Sequence, residues 1–261
     1  MPPRIAIPMP HSTDHEYGER AIPQYENAVK QAGGDPIRIP LNQTAGEVKK
    51  LIESCDGVLL PGSNADVDPA KFGAARSPHS AAADPGRDAV DALLLVDAYN
   101  LRKPVLGICY GLQSLNVFHA GSLIQHIRDF LPEDLRTRID HEAGKKVAVA
   151  HAVEIDKDSK LAEIVNGNNK GKGNIVVPVN SSHHQSADTI GNGLRISARC
   201  TDDGVIEALE GTDPDHFVIA VQWHPERSVD QDEPSRAIFR ALIKAAEIQA
   251  AALKAAEARP K

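Results

Sequence analysis

The stretch "KPVLGICYGLQSLNVF", residues 103–118, places Cys109 between two glycines where an apolar run meets a helical pattern. Residues 104–108 read as a buried strand, and the apolar residues after the cysteine recur at helical spacing. The form G-x-C-x-G at such a junction is typical of a nucleophile elbow, where flanking glycines allow two backbones to approach closely. A small buried thiol in an ordinary connection is the alternative, and the pentapeptide alone leaves both open.

The elbow interpretation carries a chemical expectation. The turn would lift Cys109 above the carboxyl edge of a sheet, where ligands bind in open α/β folds. The first turn of the following helix would place its positive dipole end near the sulfur and favour the thiolate, which is the attacking species. A thiolate nucleophile also needs a base, so the histidines become the next residues of interest.

Around this junction, the first half of the chain alternates strand and helix patterns. Such alternation predicts right-handed crossovers and a parallel sheet. In the second half, strand-like runs separated by short turns predict antiparallel additions to that sheet, and an uninterrupted Ala-rich segment predicts a terminal helix over about 234–258. The predicted strands of the first half are 4–8, 36–41, 56–62 and 104–108, and its predicted helices are 18–34, 45–55 and 88–102.

Composition narrows the function classes. The 261 residues are 41% hydrophobic and 25% charged, which is ordinary for a globular protein. A formal net charge of -7 argues against nucleic acid as a partner, and no apolar run reaches the length of about 18 residues that a membrane helix needs. An odd count of 3 cysteines and an N-terminus without a signal-like apolar region favour a reducing cytoplasm.

Two places among the 11 histidines stand out. His224 follows a strong apolar strand, and Glu226 lies two residues on, where a carboxylate could orient the imidazole. His183 and His184 lie in a polar loop after another strand. The remaining histidines have no distinctive setting and are predicted to be surface or packing residues: His11, His15, His79, His119, His126, His141, His151 and His216.

No metal site and no cofactor are predicted. Neither H-E-x-x-H nor C-x-x-C nor a similar ligand spacing occurs in the sequence. The Gly- and Lys-rich segment 166–174 could suggest phosphate binding, but it lacks Walker spacing, so a solvated hairpin loop is the favoured interpretation.

Taken together, these segments resemble the class I glutamine amidotransferase superfamily and, within it, the γ-glutamyl-γ-aminobutyrate hydrolase family of cysteine hydrolases. The motifs "GICYGLQSLNVFHAGSL" and "VQWHPE" on their own support a resemblance only to the superfamily, and not to the family within it. The family likeness rests on four segments in fixed order: "LLPGSNADVDPAKFG" (59–73), "DPGRD" (84–88), "VNSSHHQS" (179–186) and "AVQWHPE" (220–226).

The resemblance implies a single α/β domain over 1–261. Its expected architecture has three layers: a flavodoxin-like, mostly parallel central sheet with helices on both faces and antiparallel additions in the second half. A small γ-glutamyl compound is the expected partner, with neither nucleic acid nor membrane, and the terminal helix could serve a homodimer.

The resemblance also implies roles for individual residues. Cys109 is expected to be the nucleophile, His224 the general base and acid, and Glu226 the residue that orients His224. The oxyanion hole is expected to use the backbone N–H groups of Tyr110 and Gly62, although the "PGS" turn on its own could be a plain strand end. Tyr110 stands where the hydrolase family often has arginine, and in this respect "GICYG" is more similar to the amidotransferase domain of GMP synthetase.

A polar loop and one glutamine are the expected substrate-binding residues. The loop follows a strand that points toward the same sheet edge as Cys109, which favours substrate binding. The alternative interpretation is a solvated loop without a binding role. Gln113, one helical turn after the cysteine, could position substrate or pack on the helix surface, and Arg87 is expected to tie down the 61–88 loop by an ion pair rather than touch substrate. The loop residues are Asn180, Ser181, His183, His184 and Gln185.

The implied reaction is hydrolysis of a γ-glutamyl amide through a γ-glutamyl thioester, with release of glutamate, in polyamine or amine catabolism. One alternative is a glutaminase that passes ammonia to a separate synthetase. Another is a non-enzymatic binding module, which the presence of Cys109, His224 and Glu226 together argues against.

Overall fold

The computed structural model describes residues 1–136, 139–166 and 173–257. Within these ranges the strands are β1 (Arg4–Pro8), β2 (Asp35–Ile39), β3 (Gly57–Leu60), β4 (Val105–Ile108), β5 (Leu123–Ile124), β6 (His151–Ile155), β7 (Ile175–Val179), β8 (Ser186–Ala187), β9 (Leu194–Cys200), β10 (Ile206–Gly211) and β11 (Val218–Val221). The helices are α1 (His15–Gln31), α2 (Ala45–Glu53), α3 (Pro85–Leu101), α4 (Tyr110–Phe118), α5 (Ile127–Phe130), α6 (Glu133–Arg136), α7 (Lys160–Asn166) and α8 (Glu233–Glu257).

A nine-stranded sheet runs through the molecule in the order β2-β1-β3-β4-β11-β10-β9-β6-β7. The first five strands in this order pair in parallel, and the last four are joined by antiparallel pairings. The predicted fold class, a mostly parallel sheet with antiparallel additions, is confirmed. Because β11 pairs with β4, the last strand in the sequence lies in the middle of the sheet, next to a strand from the first half of the chain.

Each face of the sheet carries its own apolar cluster. On one face, α1 and α8 pack over the strands through residues such as Ile22 and Phe239. On the other face, α2, α3 and α4 do the same through residues such as Leu94 and Leu115. Burying one apolar stripe of each helix against a sheet that is apolar on both faces yields the predicted three layers.

Several boundaries differ from the sequence prediction, and local capping explains two of them. Helix α1 begins at His15 because the Asp14 side chain accepts the Tyr17 N–H at 3.0 Å. Helix α3 begins at Pro85 because Asp84 caps it in the same way. Residues 167–172 of the predicted hairpin loop lie outside the described residues.

The turn at Cys109 has the strained geometry of the predicted elbow. Cys109 has φ 53° and ψ −105°, a region that side-chain-bearing residues rarely adopt. The flanking glycines are required by close approach: a Cβ on Gly111 would lie 2.2 Å from the Leu60 carbonyl oxygen, and one on Gly107 would lie 2.9 Å from the Gly111 carbonyl carbon. The first turn of α4 therefore packs directly on β3.

In the described part of the chain, every helix falls short of the length or the apolar character that crossing a lipid bilayer would demand.

The close approach at Gly111 leads to a stability prediction. We expect Gly111→Ala to lower the free energy of unfolding by about 2–3 kcal/mol, because the new methyl group forces backbone apart from backbone. Gly46→Ala in α2 is the matched control. Its Cβ would meet nothing within 4 Å, so a gain of about 0.5–1 kcal/mol is expected. Urea unfolding measures both, and equal effects of the two substitutions would contradict the packing argument.

Candidate active site

Neighbouring strands bring Cys109 and His224 to one edge of the sheet. Cys109 follows β4 directly, and His224 comes three residues after β11, the strand that pairs with β4. The Cys109 N–H donates to the Val221 carbonyl at 2.8 Å, which fixes the elbow to the end of β11. Both side chains are buried at the base of a cleft, with 6% and 3% exposure.

His224 and Glu226 form a buried pair. The imidazole Nδ1 lies 2.7 Å from Glu226 Oε1, and Cys109 lies beside the same imidazole. Burial alone would lower the pKa of His224, but the Glu226 carboxylate and Cys109 outweigh it and raise that pKa to about 9. Burial would likewise raise the pKa of Glu226, yet His224 holds it below its usual value. An imidazolium beside a thiol is the arrangement that stabilises a thiolate.

The backbone of His224 is held by Asn180. The Asn180 amide donates to the His224 carbonyl at 2.9 Å and accepts the His224 N–H at 3.1 Å. Ser181 is fully buried, and its hydroxyl donates to the His141 carbonyl at 2.8 Å. Both were predicted to bind substrate, but neither lines the cleft, because this end of the loop is used to hold other backbone segments.

The predicted oxyanion donors have different surroundings. The Gly62 N–H donates to the Tyr25 hydroxyl at 3.0 Å, so an oxyanion at this donor would have to replace that bond. Arg87, fully buried and ion-paired to Asp91 at 2.7 Å, holds the turn by donating to the Pro61 carbonyl at 2.7 Å. Tyr110 supplies an N–H from the first turn of α4, where helical N–H groups lack intrahelical partners. The assignment of both donors stays a prediction.

The side chain of Tyr110 faces away from the cleft. It is 1% exposed, its hydroxyl donates to Asp88 Oδ1 at 2.7 Å, and the Arg87 guanidinium lies 4.7 Å from its ring centroid. The side chain at the position where the sequence departs from the hydrolase pattern therefore packs in the core and not in the cleft.

The cleft has a volume of about 490 Å³. Of the predicted substrate residues, four line it together with Cys109 and His224: Gln113, His183, His184 and Gln185. Gln113 is 4% exposed, and its amide also reaches the Gln185 carbonyl and Gln222 Oε1, both at 3.3 Å. It therefore packs and lines the cleft at once.

Sequence reasoning missed several residues of the cleft wall. Arg227 directly follows Glu226 and donates to the Ser182 hydroxyl at 2.8 Å. Asp66, within the "LLPGSNADVD" segment, lies 3.1 Å from His184 Nε2. The sequence feature that could have predicted both residues is their position in or next to the segments that carry the family resemblance. Further unpredicted lining residues are Tyr17, His79, His126 and Glu142.

Two more histidines have a setting that the sequence did not reveal. His141 and His151, predicted as surface or packing residues, are buried and converge with His183 on the carboxylate of Glu207. Their ligand atoms come from separate segments of the chain, which is why no short motif marks them.

The fold and the site geometry define a class: glutamine amidotransferase-like hydrolases with an α/β core and a cysteine at a strand-to-helix elbow. The sequence profile of the family described as Peptidase C26 matches residues 5–226, and the chain belongs to that family.

Individual relatives agree with this assignment. A glutamine amidotransferase-like protein of Rickettsia prowazekii is 32% identical over 255 residues, with 85% of this chain and 87% of that protein covered. The gamma-glutamyl-gamma-aminobutyrate hydrolase PuuD of Escherichia coli K12 is 33% identical over 225 residues, with 85% and 84% covered. A crystal structure of a GMP synthase subunit from Thermoplasma acidophilum superposes with a TM-score of 0.65 at 14% identity over 97% of this chain and 98% of that one, which shows the shared fold.

The His224–Glu226 pair leads to a prediction about titration. We expect Glu226→Gln to lower the pKa of His224 from about 9, since a neutral amide no longer stabilises the imidazolium. NMR titration of the imidazole measures this value. Because the pKa of His224 is higher in the folded state than its model value of 6.5, protonation of His224 stabilises the fold, and this stabilisation is complete below pH 6.5. It is lost as the pH rises through about 9. The loss of stability over this range should be smaller in Glu226→Gln, and an unchanged His224 pKa would contradict the pairing.

Proposed function

We propose that this protein is a cysteine hydrolase that cleaves the γ-glutamyl amide bond of small γ-glutamyl compounds and releases glutamate. The observation that carries the proposal is the position of Cys109 on a strained elbow beside the buried His224–Glu226 pair. The likeness to a relative named gamma-glutamyl-gamma-aminobutyrate hydrolase supports the substrate class.

In the first half of the reaction, the Cys109 thiolate attacks the γ-carbonyl carbon and forms a carbon–sulfur bond. The carbonyl oxygen takes the negative charge and is stabilised by backbone N–H groups at the elbow and at the Pro61–Gly62 turn. His224, held protonated by Glu226, donates its proton to the departing nitrogen as the carbon–nitrogen bond breaks. The products of this half are a free amine and a γ-glutamyl thioester.

In the second half, the now neutral His224 removes a proton from water, and the hydroxide adds to the thioester carbonyl. Collapse of this second tetrahedral intermediate breaks the carbon–sulfur bond and releases glutamate and the Cys109 thiolate. Glu226 keeps the imidazole in one orientation throughout, so the same nitrogen serves both halves.

The charged wall of the cleft suits the glutamyl end of such a substrate. Arg227 supplies a guanidinium that is about one-third exposed, at 35%, and is suited to the substrate α-carboxylate. Asp66 supplies a carboxylate for the α-ammonium, beside His184. Arg227 is thus the proposed anchor for the acid group, and Asp66 the proposed anchor for the amine.

A second candidate function is a glutaminase that delivers ammonia to a separate synthetase. Its support is the "GICYG" elbow sequence together with relatives named as glutamine amidotransferases. The two functions share the thioester chemistry and differ in the leaving group. For either function the free thiols of Cys55, Cys109 and Cys200 suit a reducing compartment such as the cytoplasm.

The central test uses purified protein and a panel of γ-glutamyl amides that includes glutamine and γ-glutamyl-γ-aminobutyrate. We expect glutamate release from γ-glutamyl amines without any partner protein, and its complete loss in Cys109→Ala, because the nucleophile is gone. Cys55→Ala is the matched control, since Cys55 is also a buried free thiol but packs in the cluster on the α2 side of the sheet.

Turnover restricted to glutamine, and raised by an added synthetase, would favour the second function. Glutamate release that persists in a folded Cys109→Ala variant would contradict both functions.

The proposed carboxylate anchor leads to a further prediction. We expect Arg227→Gln to raise KM about 10- to 100-fold with a smaller change in kcat, since a charge-assisted hydrogen bond contributes about 1.5–3 kcal/mol. Steady-state kinetics measures this split. Arg38→Gln, which removes a surface arginine paired with Glu26, is the control and should leave both constants unchanged. A fall in kcat alone would contradict a role in binding the ground state.

A further inference from the structure

A second constellation of chemically active side chains adjoins the cleft. His141, His151, His183 and Glu207 each offer one ligand atom, and the four atoms all lie within 4.8 Å of one another. Their side chains are between 0% and 4% exposed. The hydrolytic chemistry proposed for Cys109 uses neither Glu207 nor His141 nor His151, so the cluster needs its own explanation.

The three distances from Glu207 Oε1 match the spacing of ligands in a tetrahedral set. From Glu207 Oε1, the distances are 3.2 Å to His141 Nδ1, 3.4 Å to His151 Nε2 and 3.4 Å to His183 Nε2. Ligands placed about 2.0–2.1 Å from a tetrahedral zinc ion are separated from each other by about 3.3–3.4 Å.

The outer nitrogen of each ring is already engaged by an acceptor. His183 Nδ1 lies 2.8 Å from the Gln185 carbonyl, and His151 Nδ1 lies 3.4 Å from the Ala152 carbonyl. His141 Nε2 lies 2.8 Å from the Asp203 carboxylate. Carbonyls and carboxylates only accept, so the outer nitrogens donate to them, and each ring in its neutral form presents a lone pair to the centre. This is the outer-shell pattern of metal-binding histidines.

Without a cation, these lone pairs oppose one another. The inner nitrogens of all three rings and both oxygens of Glu207 are buried and have no hydrogen bond of acceptable geometry among the described residues.

A proton on any one ring could bridge only one of the three contacts to Glu207. A divalent cation meets all four inner atoms at once, and its charge balances Glu207 together with Asp203.

We propose that His141, His151, His183 and Glu207 form a structural binding site for one divalent transition metal, with zinc as the best fit. Imidazole nitrogens and a carboxylate suit zinc, and four protein ligands close the coordination shell, as in structural rather than catalytic zinc sites. The expectation of no metal, drawn from the absence of short ligand motifs, could not register ligands that share no short motif.

The site would brace the wall of the cleft. It joins the 141–151 segment to the loop that carries His183, which lines the cleft, and to β10. The Glu207 carbonyl also accepts the Gln222 N–H at 2.7 Å, two residues before His224. The metal would therefore hold the cleft wall without taking part in the thiol chemistry.

The test measures metal content and affinity directly. Protein without a histidine tag is assayed for bound metal by inductively coupled plasma mass spectrometry. Chelator-treated protein is then titrated with Zn²⁺ against a chromophoric competitor. We expect one zinc per chain, an increase in melting temperature on zinc addition, and at least a 100-fold loss of affinity in both Glu207→Gln and His151→Gln.

Three controls localise the ion. His216→Gln removes a buried histidine outside the cluster, bound to the Lys103 carbonyl at 2.8 Å. His79→Ala dismantles the more exposed trio of His79, His126 and Asp129. Cys109→Ala removes the proposed nucleophile. All three should keep the zinc, which also separates this result from the outcome for the hydrolase activity.

Absence of stoichiometric zinc binding by the wild-type protein would overturn the proposal even if both cluster variants fail to fold. Zinc that is retained at full affinity in Glu207→Gln and His151→Gln, or lost in His79→Ala or Cys109→Ala, would overturn it as well.

Discussion

The rest of the site depends on the contact between the first turn of α4 and strand β3. Gly111 lies so close to Leu60 that a Cβ would meet the Leu60 backbone, and two residues earlier Cys109 adopts a positive φ. Both features place the start of α4 directly against β3 at the sheet edge. Packing of the apolar clusters on both faces of the sheet offsets the conformational strain at Cys109, as expected for strained functional turns.

The parallel pairing of β4 with β11 then decides which residue meets the sulfur. Because the two strands run in register and end at the same edge, the chain after β11 arrives beside the elbow. Asn180 fixes the backbone of His224 at that point with two hydrogen bonds, and Glu226 fixes the ring. Three separate strands thus hold one thiol–imidazole contact.

The sequence was informative where local periodicity and short motifs decide the structure. Alternating apolar runs were enough to predict the parallel core, and "GICYG" with "QWHPE" were enough to select Cys109, His224 and Glu226 as candidates. It was uninformative where a side chain's direction depends on partners distant in the chain. Asn180 and His183 stand in one short loop, yet one supports His224 from behind and the other lines the cleft. Nothing in their spacing separates these roles.

Two glutamates on β10 show why the histidine cluster is unusual. Glu210 is 1% exposed, and both of its oxygens accept N–H groups, including those of Leu161 and Arg195 at 3.1 and 2.8 Å. Glu207 is equally buried, but histidine nitrogens whose protons point elsewhere surround it. A fold that satisfies one buried carboxylate so completely has the means to satisfy the other with N–H donors. Acceptors gathered around Glu207 are instead the composition of a cation site, since only a positive charge makes such burial favourable.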